Sequence, residues 1–214
     1  MGEQTDADPV SGRTDRGLER LISFSDAVVA IAITLIVLPL VDSAREVSSR
    51  STAEFLSDNS SALSAAGISF VVISSFWRHH HRLYERATGY TPLLMRVNML
   101  WLAGIVIVPV ATALDAYSRH GDRLAPGIYV TVIIVVMSLA RLEEIILHRA
   151  GLLADLRMTT VLAAQWIPVG LTMVALIVTL SFPPAGLYSL LLLVLTAPLQ
   201  GWVRRRTQSH AASD

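Results

Sequence analysis

Long apolar runs separated by short polar ones set the pattern of this chain. Ile22 to Val41 is almost wholly apolar, and comparable runs recur at roughly 62–80, 94–116, 126–147, 159–180 and 186–203. About 20 consecutive apolar residues, each rising about 1.5 Å, cross the hydrocarbon core of a bilayer. The pattern therefore predicts an all-α integral membrane protein with six spanning helices. The fifth and sixth runs are parted only by SFPPAG, Ser181 to Gly186, whose paired prolines and glycine predict a tight turn and a membrane hairpin. Residues 42–61, polar and rich in serine, have room for at most a short surface helix. The first run follows a polar, acidic leader and exceeds the apolar stretch of about 7–15 residues in a secretion signal, so it reads as a retained span. Residues 1–17 predict a disordered tail, 18–203 a membrane domain, and 204–214 a basic and then disordered tail.

Composition agrees with a membrane setting: 53% of the 214 residues are hydrophobic, 16% are charged, and mean hydropathy is +0.55. All 17 basic residues are arginine and formal net charge is zero, which gives no support to a nucleic-acid partner. Absence of cysteine excludes disulfides, thiolate metal sites and cysteine nucleophiles. With the N-terminus in the cytoplasm, 13 arginines fall on the inner side, while Arg45, Arg50, Arg119 and Arg123 fall outside. That asymmetry predicts six spans with both termini inside.

Polar residues inside such runs carry the functional signal, because an unpartnered charge at the centre of a spanning helix costs at least about 2.5–3.5 kcal/mol. The first run opens with RLISFSD, which places Arg20, Phe24, Ser25 and Asp26 at the helix mouth. Interfacial anchoring explains them in part, with Arg20 reaching for headgroups and Asp26 close to the positive end of the helix. Partners at the same depth suggest more: FWRHHH ends the second run and RVNMLWL opens the third, supplying Trp77, His79, His80, His81 and Asn98. A hydrogen-bond network across three helices would satisfy these groups. Metal binding by the three histidines is disfavoured, since adjacent helical residues point about 100° apart. Deeper in the first run, Ile31, Thr34, Leu35 and Leu38 share one stripe, and Thr34 is the only polar side chain between Ala27 and Leu40. Its hydroxyl either bonds its own backbone or faces a water-filled path. Pro109 and Pro168 are candidate kinks, Asp115 lies at the outer headgroup level, and Glu143 with Glu144 reads as an interfacial, salt-bridged face. No hydrolase-like set, phosphate loop or TVGYG filter is present.

RLISFSD resembles the RxxxFSD signature of the transmembrane protein 175 type of potassium channel, and the likeness continues through SFVVISSFWRHHHRLY and RVNMLWLAGIVIVPVATAL. The resemblance implies six helices per bacterial subunit, four subunits around a central pore lined by the first helix, and no cofactor or enzymatic activity. It implies that Ile31, Leu35 and Leu38 form a hydrophobic constriction and Thr34 a layer linked to selectivity. It further implies that Arg20, Phe24, Ser25 and Asp26 join Trp77, His80 and Asn98 in a structural network, although HHH leaves the choice among His79, His80 and His81 open. The expected function is passive, weakly to moderately potassium-selective conduction by a homotetramer in a bacterial plasma membrane. The alternative is a proton-coupled or cation-coupled secondary transporter, with Asp26 and a histidine as relay. Against it stands the lack of broken helices at matching places in two halves.

Overall fold

In the computed structural model the described residues are 9–45, 51–118 and 122–153, with 170, 172–174 and 177 beyond them. The expected hairpin at Ser181 to Gly186, Pro168, and the bulk of the fifth and sixth spans lie outside these residues.

Six α-helices are described: α1 (Pro9–Leu35), α2 (Leu38–Arg45), α3 (Thr52–Asp58), α4 (Ser60–Tyr84), α5 (Pro92–Ala116) and α6 (Leu124–Arg149). Among the described residues, three stretches are long and apolar enough to cross a membrane: Arg16–Arg45, Ser60–Tyr84 and Pro92–Ala116. They coincide with the first three expected spans, and α6 coincides with the fourth. Helix α1 begins at Pro9, within the segment expected to be a tail. Proline suits a first helical turn, where its missing N–H is not needed.

The first span is not one continuous helix. It breaks at Ile36 and Val37, because Pro39 has no N–H to donate to the Leu35 carbonyl and its ring crowds that oxygen. The Val37 N–H reaches back to Thr34 O at 3.4 Å, and Leu40 and Val41 both donate to Val37 O at 3.1 Å. Pro39 thereby sits in the first turn of α2, where proline is tolerated. The connection to α4 holds the short surface helix expected there. Ser51 caps it, accepting from Glu54 N while the Glu54 carboxylate takes the Ser51 N–H. These bonds hold the Glu54 carboxyl below its usual value.

Helix α5 is apolar all round and packs against α1, α4 and α6, with its largest interface on α6. The main core joins Val29 and Ala32 of α1 and Ile36 of the break to Val72 and Ile73 of α4, Trp101, Ile105 and Val108 of α5, and Tyr129, Ile133 and Val136 of α6. A second cluster, around Leu18, Leu21, Leu83, Tyr84, Leu94 and Leu147, closes the end where α4 turns into α5. At that end Gly151, at φ 67°, terminates α6. Leu152 N donates to Leu147 O at 3.0 Å and Gly151 N to His148 O at 3.1 Å. This double bond pattern requires a left-handed residue. The α4–α5 connection is then tied down, with Thr88 N donating to Leu152 O at 2.9 Å.

In the core, Ser69 of α4 donates to Thr112 Oγ1 of α5 at 2.7 Å and accepts from Tyr129 of α6 at 3.0 Å, since Thr112 gives its own proton to Val108 O. Three helices are thereby bridged without a charge. Gly104 permits the close approach of α5 and α6, for a Cβ there would stand 2.7 Å from Val136 Cγ2. Valine is stiff at χ1 and cannot turn away freely. Gly104→Ala is expected to destabilise by about 1–3 kcal/mol, visible as an earlier thermal unfolding of the purified protein in detergent.

Candidate functional site

Helix geometry divides the polar residues at the mouth of α1 between two neighbours. Ser25 points into the bundle and is buried, whereas Asp26, about 100° further round, faces α4. Trp77 Nε1 donates to Asp26 Oδ1 at 2.9 Å. The Trp77 ring stacks on His81 at 5.3 Å, and His81 Nε2 lies 3.2 Å from Glu85. These contacts lie at the rim of the bundle.

The second branch runs through the interior. His80 Nε2 lies 2.9 Å from Asn98 Oδ1, and Asn98 Nδ2 donates to Ser25 Oγ at 2.9 Å. Ser25 completes the chain by donating to Leu21 O at 2.8 Å. With its amide nitrogen turned to Ser25, Asn98 presents its oxygen to His80, so the imidazole carries hydrogen on Nε2. His80, Asn98 and Ser25 are all buried. Tyr84 and Trp101 clamp the imidazole, at ring distances of 4.2 and 4.3 Å. Of the three consecutive histidines, His80 is therefore the one joined to Asn98, while His79 and His81 point elsewhere.

Arg20 and Phe24 lie apart from both branches, on the exposed face of α1. Ile31 and Leu35 continue along that face at 59 and 39% exposure, and Leu38, which opens α2 beyond the break, is 49% exposed. Leu21, Ser25, Val29, Ala32 and Ile36 form the opposite, buried stripe. Thr34 also lies on the exposed face, and its hydroxyl donates to Ile31 O at 2.8 Å. Donating uses the proton alone, so both lone pairs of the Thr34 hydroxyl oxygen stay available to a neighbour.

The reading of Glu143 and Glu144 as one surface face needs correction. Glu144 does pair with Arg141, but Glu143 is wholly buried between helices, 3.9 Å from His80 Nε2. The two carboxylates are adjacent, so a turn of about 100° puts one at the rim and the other inside. A sequence signal for this existed: Ile133, Val136, Ala140, Glu143 and Leu147 share one stripe, and the other four are core residues.

Apolar helices around a buried polar network define an integral membrane protein. Residues 20–109, which hold most of α1, all of α4 and most of α5, match the profile of the family described as "Endosomal/lysosomal potassium channel TMEM175". A protein from Streptomyces collinus named a potassium channel is 33% identical over 128 residues, covering 56% of this chain and 59% of its own length. A second so named, from Chryseobacterium, is 26% identical over 132 residues, covering 62% of this chain and 66% of its own length. The Gallus gallus protein named endosomal/lysosomal proton channel TMEM175 is 38% identical over 105 residues, covering 46% of this chain and 21% of its own. The chain thus spans less than two thirds of the length of these relatives.

Proposed function

We propose that this chain is a subunit of a passive, potassium-permeable cation channel in a bacterial plasma membrane. One observation carries the reading: the apolar stripe of α1 is left uncovered while the opposite stripe is sealed into the chain's own core. A single copy of α1 cannot enclose a path, so the pore requires several copies around an axis. Four copies of Ile31 would make the narrowest ring, and Leu35 and Leu38 would extend the constriction. Ala27 and Ala30 are also exposed and are small enough to let helices approach an axis closely. A ring of this kind closes by dewetting, and opening must widen it or rotate the side chains away. Thr34 hydroxyls, one residue short of a turn further on, would replace part of the hydration shell of a passing cation. The proline break beyond Leu35 supplies a hinge above the ring.

The branches at the other end of α1 act in this reading as a scaffold that fixes its rotation. Both termini face the cytoplasm, in keeping with the arginine asymmetry. The family segment and the names of the bacterial relatives support potassium as the permeant ion.

The test is the reversal potential of the purified protein in planar bilayers under opposed potassium and sodium gradients. A steady current reversing toward the potassium equilibrium potential is expected. Saturable flux that needs a counter-ion would identify a coupled transporter instead.

A further inference from the structure

We propose that Glu143 and His80 together form a proton-binding site inside the helix bundle, read by α1 through Asn98 and Ser25. The geometry that points to it is independent of the channel reading; only the consequence for conduction rests on that reading. Glu143 has 0% exposure, and neither of its carboxyl oxygens meets a hydrogen-bond donor among the described residues. An ionised carboxylate in that state is prohibitively costly, and among the described residues His80, with Nε2 at 3.9 Å, is the group placed to neutralise it. One proton must therefore reside on the pair. Either Glu143 is a neutral acid beside a neutral imidazole, or a carboxylate faces an imidazolium. In both forms the pair holds one proton more than carboxylate with neutral imidazole, and that proton comes from the water at the α4–α5 end.

Other titratable groups face the pair from α4, α1 and α6. From α4 they are His79, His81 and Tyr84, and from α1 Asp26. From α6, Arg141 and Glu144 face His79 while bonded to each other. Helix α5 contributes only the neutral Asn98 and Trp101. None of them supplies a bond to Glu143, so loss of the proton would leave a buried charge that the pair can relieve only by moving or by admitting water. His80 cannot move without pulling Asn98, and Asn98 holds Ser25 on α1 at 2.9 Å. The site thereby couples a proton to the position of the helix that carries Ile31.

The experiment compares the wild-type protein with E143Q in lipid nanodiscs, by infrared spectroscopy and by nitrogen NMR of labelled histidine, across neutral pH. The expected result is either a protonated-carboxyl band lost in E143Q or an imidazolium signal lost in E143Q. Carboxylate together with neutral imidazole at neutral pH would overturn the proposal. If E143Q does not fold, E143L removes the proton site with a side chain of similar size and serves in its place. In bilayers, wild-type current should change with pH on the face bearing the α4–α5 turn, by up to about tenfold per pH unit for each linked proton, and the variant should flatten that response. A wild-type current indifferent to pH, or an unflattened response in the variant, refutes the coupling to α1. Absence of any current refutes the channel reading instead, while the spectra still decide the proton.

Discussion

Ile31→Asn is expected to raise the resting cation current about tenfold or more and to weaken discrimination between potassium and sodium. Ile31 is among the most exposed residues of α1 and makes no part of the chain's own core, so the substitution removes little internal packing. In a tetramer it would replace four apolar side chains at the narrowest ring by four amides, and each amide offers an oxygen to water or to a cation. A net hydrogen bond is worth about 1 kcal/mol, and a barrier lowered by about 1.4 kcal/mol gives a tenfold rate. Even partial use of four amides therefore reaches that scale. Single-channel recording in bilayers measures conductance and open probability together. A current unchanged in both would remove Ile31 from the constriction and move attention to Leu35 and Leu38, which share its face. Ile31→Val is the control: it keeps the ring dry and slightly widens it, so a small change in conductance with unchanged ion preference is expected.

The first three spans were legible in the sequence because a bilayer imposes one physical requirement, a run of about 20 mostly apolar residues, and α4 and α5 each meet it in one helix. Partnership among Ser25, Asn98 and His80 was legible for a related reason: polar groups at one depth in neighbouring spans have few other partners. Which histidine joins them was not legible, because three adjacent imidazoles differ only in rotation, and rotation is fixed by the packing of Trp101 and Tyr84 around one ring. Glu143 was misread because Arg141 precedes it and Glu144 follows, a local pattern that resembles a solvated face. The core register of α6 overrides that pattern. Pro39 marks the break at Ile36 in the sequence, but a proline alone does not predict one, since it is tolerated in membrane helices when neighbours satisfy the freed groups. Tyr117, just past the end of α5, pins the following turn, its hydroxyl lying 3.4 Å from Pro39 O and 3.1 Å from Ser43 Oγ.

Asn98→Leu is expected to destabilise the protein by about 2–4 kcal/mol and to reduce the yield of intact oligomer, with little change in the ion preference of whatever assembles. Asn98 links α4 to α1 by hydrogen bonds through the interior, accepting from His80 and donating to Ser25. Leucine fills nearly the same volume, so the penalty is that of stranded groups and not of a cavity. His80 loses its acceptor at a site with no exposure to water, and each buried group left unpaired costs about 1–3 kcal/mol. Ser25 suffers less, because its proton still goes to Leu21 O. Asp26→Ala should cost less than Asn98→Leu, since its Trp77 bond lies at the rim, where water can take over. Thermal unfolding followed by size-exclusion chromatography separates the two variants, and a double-mutant cycle of Asn98→Leu with His80→Leu isolates the bond between them. Removing both partners should recover part of the loss, because the apolar pair leaves no donor stranded on that side. An Asn98→Leu protein that assembles with wild-type stability but conducts without selectivity would place Asn98 in the conduction path, and the division between a gating face and a scaffolding face of α1 would fall with it.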